Sequence, residues 1–179
     1  MALASPKPDS TPSGLDHVAW VVRDLAAAAR FFGAALGGKV IAGGDETELN
    51  VRSLHLSYPR GGKVELLSPT GPGLHADFLD RYGDRVHHVT FVQDGIASLA
   101  ERLQADGYRV SGLDTSGKAW QELFVGPASA HGCVVQVVNR MDHYGPRVAG
   151  LTAESVLAGQ WRWRDGVPVR QDDAPGQAG

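Results

Sequence analysis

The sequence predicts an α+β fold built from two tandem modules, each with the element order βαβββ. The first observation is a repeat: His17 and His88 each stand near the start of a short alternating apolar segment, and 71 positions separate them. The same 71 positions separate Glu65 from Gln136, and both of these residues lie inside apolar segments. Because one offset relates two independent pairs of features, we interpret the chain as a duplicated unit.

The first module is expected over residues 15–69. Residues 15–22 alternate in the manner of a strand. Asp24 is a suitable N-cap for a helix over residues 25–36, which a pair of glycines then ends. An acidic loop containing glycine is predicted over residues 43–50. The other strands expected in this module cover residues 39–42, 51–58 and 64–67.

The second module is expected over residues 86–139. A connector over residues 70–85 precedes it and contains a short helix at about residues 75–82. The module repeats the element order of the first one. Its predicted elements are a strand over residues 87–92, a helix over 95–106, and strands over 108–111, 120–125 and 133–138.

Both ends of the chain differ in pattern from the duplicated region. Residues 1–14 are rich in proline and serine and predict a flexible tail. Residues 140–179 form a C-terminal extension, in which a short helix is expected at about residues 152–163 and disorder from residue 165 onward. The sequence therefore predicts one domain over residues 15–139 with an extension at each end.

Composition restricts the possible partners and compartment. A net charge of −3 over 179 residues gives no electrostatic reason to expect nucleic acid or an anionic membrane as a partner. No apolar run approaches the roughly 18 residues that span a bilayer, and the N-terminal tail has no apolar core of a secretory signal. The single cysteine, Cys133, cannot form an internal disulfide. These features predict a cytoplasmic protein.

The duplicated polar residues have side chains that can bind a metal ion. A lone histidine at a strand start is usually a satisfied polar residue. Glu65 is different, because a carboxylate that points inward from an apolar strand is costly unless it is paired or bound to a cation. If the modules pair by pseudo-twofold symmetry, the two histidines, Glu65 and Gln136 converge. Two imidazoles, one carboxylate and one amide oxygen suit a divalent first-row metal.

Four segments, over residues 15–19, 64–69, 78–89 and 124–137, carry a resemblance to a known family. The repeated βαβββ order and these segments resemble the glyoxalase, or vicinal oxygen chelate, superfamily, and within it the methylmalonyl-CoA epimerases. The resemblance implies a curved mixed sheet around a metal-centred cavity. It also implies a divalent metal ion (Co, Mn, Ni, Zn, Mg or Fe) bound by His17, Glu65, His88 and Gln136.

One residue departs from the epimerase pattern. Epimerases that resemble this chain carry glutamate at the position of Gln136, where it contacts the metal and moves the proton, whereas glutamine cannot accept a proton near neutral pH. Glu65 is then the candidate for a mobile, basic ligand. The epimerase-like pattern implies a second carboxylate at Glu48, with Glu46 in reserve. Glu122 is a further candidate for an inward-facing catalytic carboxylate.

The other histidines are assigned by their positions in the predicted elements. His55 shares an alternating face with Val51 and Ser53 and is expected to line the substrate cavity. His131 lies in a predicted turn, where it is expected to contact substrate. His87 is expected to point to the other side of the sheet from His88 as a structural residue, and His75 is expected at the surface.

These assignments lead to one leading function and several alternatives. The leading hypothesis is a metal-dependent enzyme that stabilises an enolate-type intermediate, most simply an epimerase or isomerase of an acyl-CoA or related carbonyl substrate. A biosynthetic lyase or cyclase and a non-haem iron dioxygenase are alternatives on the same scaffold. A metal-free, resistance-type protein that binds a small molecule is the third alternative. A homodimer is possible, since dimers are the commonest oligomers.

Overall fold

The computed structural model describes residues 14–116, 121–139 and 148–173. The chain divides into two compact units. The larger unit comprises His17–His88 with Asp142–Gly179, and the smaller unit comprises Met1–Asp16 with Val89–Met141. Of the N-terminal tail predicted over residues 1–14, residues 1–13 lie outside the described residues, and Gly14 begins the first strand. No helix in the described part of the chain is long and apolar enough to cross a membrane.

The first module has the predicted βαβββ order. A π-helical turn at Arg30–Ala35 continues helix α1, so the predicted helix over residues 25–36 changes its hydrogen-bonding pattern halfway. The connector contains helix α2, as expected. The elements are β1 (Gly14–Val21), α1 (Leu25–Ala29), β2 (Lys39–Glu46), β3 (Val51–Ser57), β4 (Lys63–Pro69), α2 (Leu74–Tyr82) and β5 (Arg85–Val92).

The register of these strands gives the larger unit a mixed sheet with two distinct faces. β1 pairs in parallel with β4, with Ala19 opposite Glu65. β3 pairs antiparallel with β4, with His55 opposite Glu65. Because residues opposite each other share a face, and because residues two apart in a strand do as well, His17, His55 and Glu65 lie on one face.

Two apolar clusters pack around this sheet. One cluster contains Leu54, Leu56 and Leu66, which are fully buried against α1 and the C-terminal extension. The other contains Ala19, Val21 and Leu67 from the face that carries the histidines, and Leu79 of α2 packs against them. α2 therefore packs on the face that carries Glu65.

Strand β2 is longer than predicted. It continues to Glu46, so the predicted loop over residues 43–50 shortens to a turn at residues 47–50. The two glycines that suggested a loop are required by close packing instead. A Cβ at Gly43 would lie 3.0 Å from a methyl group of Val156, and a Cβ at Gly44 would lie 3.0 Å from the backbone of Arg162.

The C-terminal extension corrects a second prediction. Helix α4 (Ala153–Leu157) ends well before residue 163, and a hairpin of β9 (Trp161–Arg164) and β10 (Val167–Arg170) occupies a segment that was expected to be partly disordered. Asp165 and Gly166 both have positive φ, at 50° and 75°. Two-residue loops of this type favour tight hairpins, and this signal outweighs the helical pattern. β9 pairs in parallel with β2, with Arg162 opposite Asp45.

The smaller unit contains the helix and last three strands of the second module. These elements are α3 (Ile96–Ala105), β6 (Val110–Asp114), β7 (Glu122–Val125) and β8 (Val134–Val138). β6, β7 and β8 are antiparallel neighbours, and Gln136 lies opposite Phe124. Ile96 of α3 packs on Leu123 and neighbouring apolar residues. The α+β class and the βαβββ order of both modules are confirmed.

Candidate metal centre

Two histidines and one carboxylate from three strands meet in the larger unit. Nε2 of His17 lies 3.2 Å from Oε2 of Glu65, and Nε2 of His88 lies 3.3 Å from the same oxygen. One potential ligand atom from each of the three residues lies within 4.8 Å of the others. The parallel pairing of β1 with β4 explains how residues 48 positions apart in sequence come together.

A third histidine contacts the other oxygen of the same carboxylate. Nε2 of His55 lies 3.2 Å from Oε1 of Glu65, and the side chain of His55 is buried. The two oxygens of Glu65 therefore have different environments, with His17 and His88 at Oε2 and His55 at Oε1. His55 thus contacts a candidate metal ligand, and its expected role in lining a substrate cavity stays a prediction.

These contacts determine the charge state of Glu65. Burial alone would raise its pKa, but the charge of His55 and hydrogen bonds from all three histidines outweigh burial, so the pKa of Glu65 lies well below its usual value. A general base works best with a pKa near the working pH. The contacts thus weigh against the predicted role of Glu65 as a mobile base and favour a fixed, ionised ligand.

His87 and His75 extend the cluster behind His88. Nδ1 of His87 lies 2.9 Å from Nδ1 of His88, and the His87 ring packs on the rings of His75 and Phe78 at centroid distances of 5.1 and 4.7 Å. Burial, with smaller contributions from His88 and His75, lowers the pKa of His87 to about 4. His87 is therefore neutral near pH 7, and its Nδ1 can accept a hydrogen bond from a protonated Nδ1 of His88.

His75 corrects the expectation that this residue lies at the surface. It is buried in α2, where burial is the largest cause that lowers its pKa. Its Nδ1 atom is also buried, with no hydrogen-bond partner among the residues that the structure describes. The short connector pattern did not show that α2 turns this position inward against the sheet.

The donor set of the cluster fits a divalent metal ion. Two imidazole nitrogens and one carboxylate oxygen are the ligand types that divalent first-row metals accept. A histidine that binds a metal through Nε2 carries its proton on Nδ1 and usually donates it to a neighbouring acceptor. His87 provides that acceptor for His88. His17, Glu65 and His88 are therefore the residues that could hold a metal in the larger unit.

Gln136, the fourth predicted ligand, lies in the smaller unit. Its Oε1 accepts a hydrogen bond of 2.7 Å from Oγ1 of Thr90, and its Nε2 donates one of 2.8 Å to Oε2 of Glu122. Glu122 and Gln136 lie on the same face of the β7–β8 pair. A metal-binding role for Gln136 and a catalytic role for Glu122 both stay predictions.

The other predicted site residues occupy more exposed positions. Glu48 is exposed in the turn between β2 and β3. Glu46 ends β2 opposite Val51, and by register it shares a face with His55 and Glu65. His131 is exposed in the turn before β8, where its φ is 57°. Catalytic or substrate-binding roles for these residues stay predictions.

Trp163 is a residue of this site that the sequence reasoning missed. Its Nε1 donates a hydrogen bond of 2.8 Å to Oγ of Ser53, and its ring meets the His55 ring edge to face at a centroid distance of 5.4 Å. The alternation Trp161-Arg162-Trp163-Arg164 was the available signal, because it is typical of a strand rather than a helix.

Known proteins share both the sequence pattern and the fold. A family model described as the Glyoxalase/Bleomycin resistance protein/Dioxygenase superfamily matches residues 16–124. An ethylmalonyl-CoA/methylmalonyl-CoA epimerase from Cereibacter sphaeroides is 35% identical over 130 residues, which cover 69% of this chain and 95% of that relative.

Solved structures give the same result for the fold. Methylmalonyl-CoA epimerase from Mycobacterium tuberculosis is 24% identical and has a TM-score of 0.64, with 72% of this chain and 88% of that chain covered. A variant of Streptomyces coelicolor methylmalonyl-CoA epimerase, in complex with 2-nitronate-propionyl-CoA, is 26% identical. Its TM-score is 0.61, with 69% of this chain and 94% of that chain covered. The chain therefore belongs to the glyoxalase/bleomycin resistance protein/dioxygenase superfamily, also called the vicinal oxygen chelate superfamily, as its sequence predicts.

Proposed function

We propose that this protein is a metal-dependent epimerase of a CoA thioester with an acidic α-carbon, such as methylmalonyl-CoA or ethylmalonyl-CoA. The observation that carries the proposal is the convergence of His17, Glu65 and His88 on one point. The 35% identity to an ethylmalonyl-CoA/methylmalonyl-CoA epimerase supports the choice of substrate class. The proposed cofactor is a divalent ion among Co, Mn, Ni, Zn, Mg and Fe.

The three residues would hold the ion in complementary ways. His17 and His88 would bind through Nε2, and Glu65 through Oε2, since these three atoms already face one another. When bound, the ion would act as a Lewis acid on a substrate carbonyl oxygen and stabilise the enolate that forms after loss of the α-proton. Gln136 is the proposed fourth ligand.

We assign proton transfer to carboxylates other than Glu65, because the contacts of Glu65 with three histidines hold its pKa well below its usual value. We assign proton transfer at one face of the α-carbon to Glu48 or Glu46. Glu122 is proposed to transfer the proton at the opposite face, since its carboxylate accepts a hydrogen bond from Gln136, the proposed fourth ligand. One group, as the carboxylate, would remove the α-proton, and the other, as the protonated carboxylic acid, would give its own proton to the opposite face of the enolate, which inverts the α-carbon.

Solvent exchange tests the proposed reaction. The protein is loaded with Co(II) and incubated with methylmalonyl-CoA in deuterated buffer, and deuterium at the α-carbon is followed by mass spectrometry. We expect uptake above the uncatalysed rate with wild-type protein, and uptake near that rate with His17→Ala or His88→Ala. Loaded protein that catalyses no exchange with methylmalonyl-CoA or ethylmalonyl-CoA would contradict the epimerase proposal.

Further measurements on the same purified protein separate the main alternatives. A folded wild-type protein that takes up no divalent metal but binds the thioester would favour a metal-free binding protein. Oxygen consumption with the Fe(II)-loaded protein would favour a dioxygenase. The proposed homodimer is tested independently by light scattering of the purified chain, for which a mass of one protomer would be the contradicting result.

A further inference from the structure

The C-terminal hairpin lies beyond the part of the chain that matches the superfamily model. That match ends at residue 124, whereas the hairpin covers residues 161–170. The hairpin nevertheless continues the sheet of the larger unit, because β9 pairs with β2. This pairing also covers an edge of β2 that would otherwise expose unpaired backbone groups. The hairpin is thus an addition to the superfamily match that is built directly onto its sheet.

One side chain connects this addition to the candidate metal centre. The indole N–H of Trp163 donates to Ser53, which lies two residues before His55 on the same face of β3. The hydrogen bond holds the Trp163 ring against the His55 ring. His55 in turn contacts Oε1 of Glu65. A continuous set of contacts therefore runs from the hairpin to the carboxylate.

We infer that Trp163 is a positioning residue for the metal centre. It acts by fixing the ring of His55 against Glu65. The inference rests on the proposed function, in that Glu65 binds the metal. His55 occupies Oε1 and leaves Oε2 directed toward His17 and His88. With Oε1 engaged by His55, Glu65 would offer Oε2 to a metal ion. Neighbours that orient metal ligands in this way commonly change metal affinity by about 10–100-fold when they are altered.

The hairpin also supplies a matched control. Trp161 donates an equivalent 2.8 Å hydrogen bond from its indole N–H to Oγ of Ser155, but its ring packs in the apolar cluster with Leu54 and Val156. Replacement of either tryptophan by phenylalanine removes one indole–hydroxyl hydrogen bond from the same strand. Only the Trp163 variant removes a bond next to His55. A purely structural role of the hairpin would make the two variants behave alike.

The experiment measures Co(II) affinity of the full-length, metal-stripped protein by titration of its visible absorption. We expect Trp163→Leu to weaken Co(II) binding on the order of tenfold and to alter the ligand-field bands, with a larger loss for His55→Ala, within about 10–100-fold. Trp163→Phe and Ser53→Ala remove the same hydrogen bond, so each is expected to weaken binding, and the double variant no further. Trp161→Phe is expected to retain wild-type affinity and bands.

Three results would overturn the positioning role of Trp163. Wild-type Co(II) affinity and bands in both Trp163→Phe and Ser53→Ala would overturn it, and these mild variants decide the matter even if Trp163→Leu fails to fold. An equal loss of affinity in Trp161→Phe would also overturn it, because the hairpin would then act only through stability. A wild-type protein that binds no Co(II) would overturn the proposed metal dependence and this inference together. That result is distinguishable from binding that is insensitive to Trp163.

Discussion

Replacement of His87 tests whether this residue is neutral and hydrogen-bonded to His88. His87 is 9% exposed, and burial lowers its pKa from 6.5 to about 4. The unfolded chain therefore binds a proton at a higher pH than the folded protein does. Stability from this group is fully present above pH 6.5 and is lost as the pH falls toward 4. At about 1.4 kcal/mol per pKa unit, the loss amounts to about 3 kcal/mol.

His87→Asn is the appropriate variant, because its amide oxygen can still accept a hydrogen bond near the position of Nδ1 but does not titrate. Urea unfolding of metal-stripped protein at intervals from pH 7.5 to pH 4 measures the effect. We expect the free energy of unfolding to fall by about 3 kcal/mol more in wild type than in the variant. His131→Asn, at an exposed turn position, is the surface control. Parallel pH profiles for wild type and His87→Asn would refute the reasoning.

Three further predictions concern the charge, the proton transfer and the C-terminal extension. Glu65→Gln removes the only carboxylate among the three clustered residues, so Co(II) affinity should fall at least tenfold; unchanged affinity in a Co(II) titration would argue against its role as a ligand. Glu46→Gln and Glu48→Gln should lower the rate of α-deuterium exchange to different extents, and the variant with the larger loss of rate identifies the base. Wild-type exchange rates in both variants would exclude both residues from proton transfer. Arg52 donates two hydrogen bonds to Asp45 and one of 2.7 Å to the carbonyl oxygen of Leu157. Arg52→Lys should therefore reduce the free energy of unfolding by about 2 kcal/mol. An unchanged urea midpoint would show that these hydrogen bonds contribute little to stability.

Much of the larger unit follows from local sequence patterns. The repeat offset and the cost of a carboxylate in an apolar strand together indicated that His17, Glu65 and His88 belong to one site, and the three side chains do meet. Strand alternation gave the face of His55 correctly. The parallel pairing of β1 with β4, which brings His17 and Glu65 together, is seen only in the structure, because the order of elements does not fix which strands pair.

The missed features depend on contacts between distant parts of the chain. Gly43 and Gly44 resemble loop residues until Val156 and Arg162 are seen to pack against them. His75 lies in a short connector helix whose buried side is set by the sheet beneath it. The approach of Trp163 to His55 joins residues more than 100 positions apart, and no local periodicity encodes such a contact.

Metal content tests the central claim most directly. Purified wild-type protein, His17→Ala and His88→Ala are each equilibrated with Co(II), passed through a desalting column and measured by elemental analysis, with circular dichroism to confirm folding. The arrangement of His17, Glu65 and His88 predicts about one ion per chain in wild type and a marked loss in both folded variants. Folded wild-type protein without bound metal, or equal metal content in all three proteins, would contradict the proposed centre.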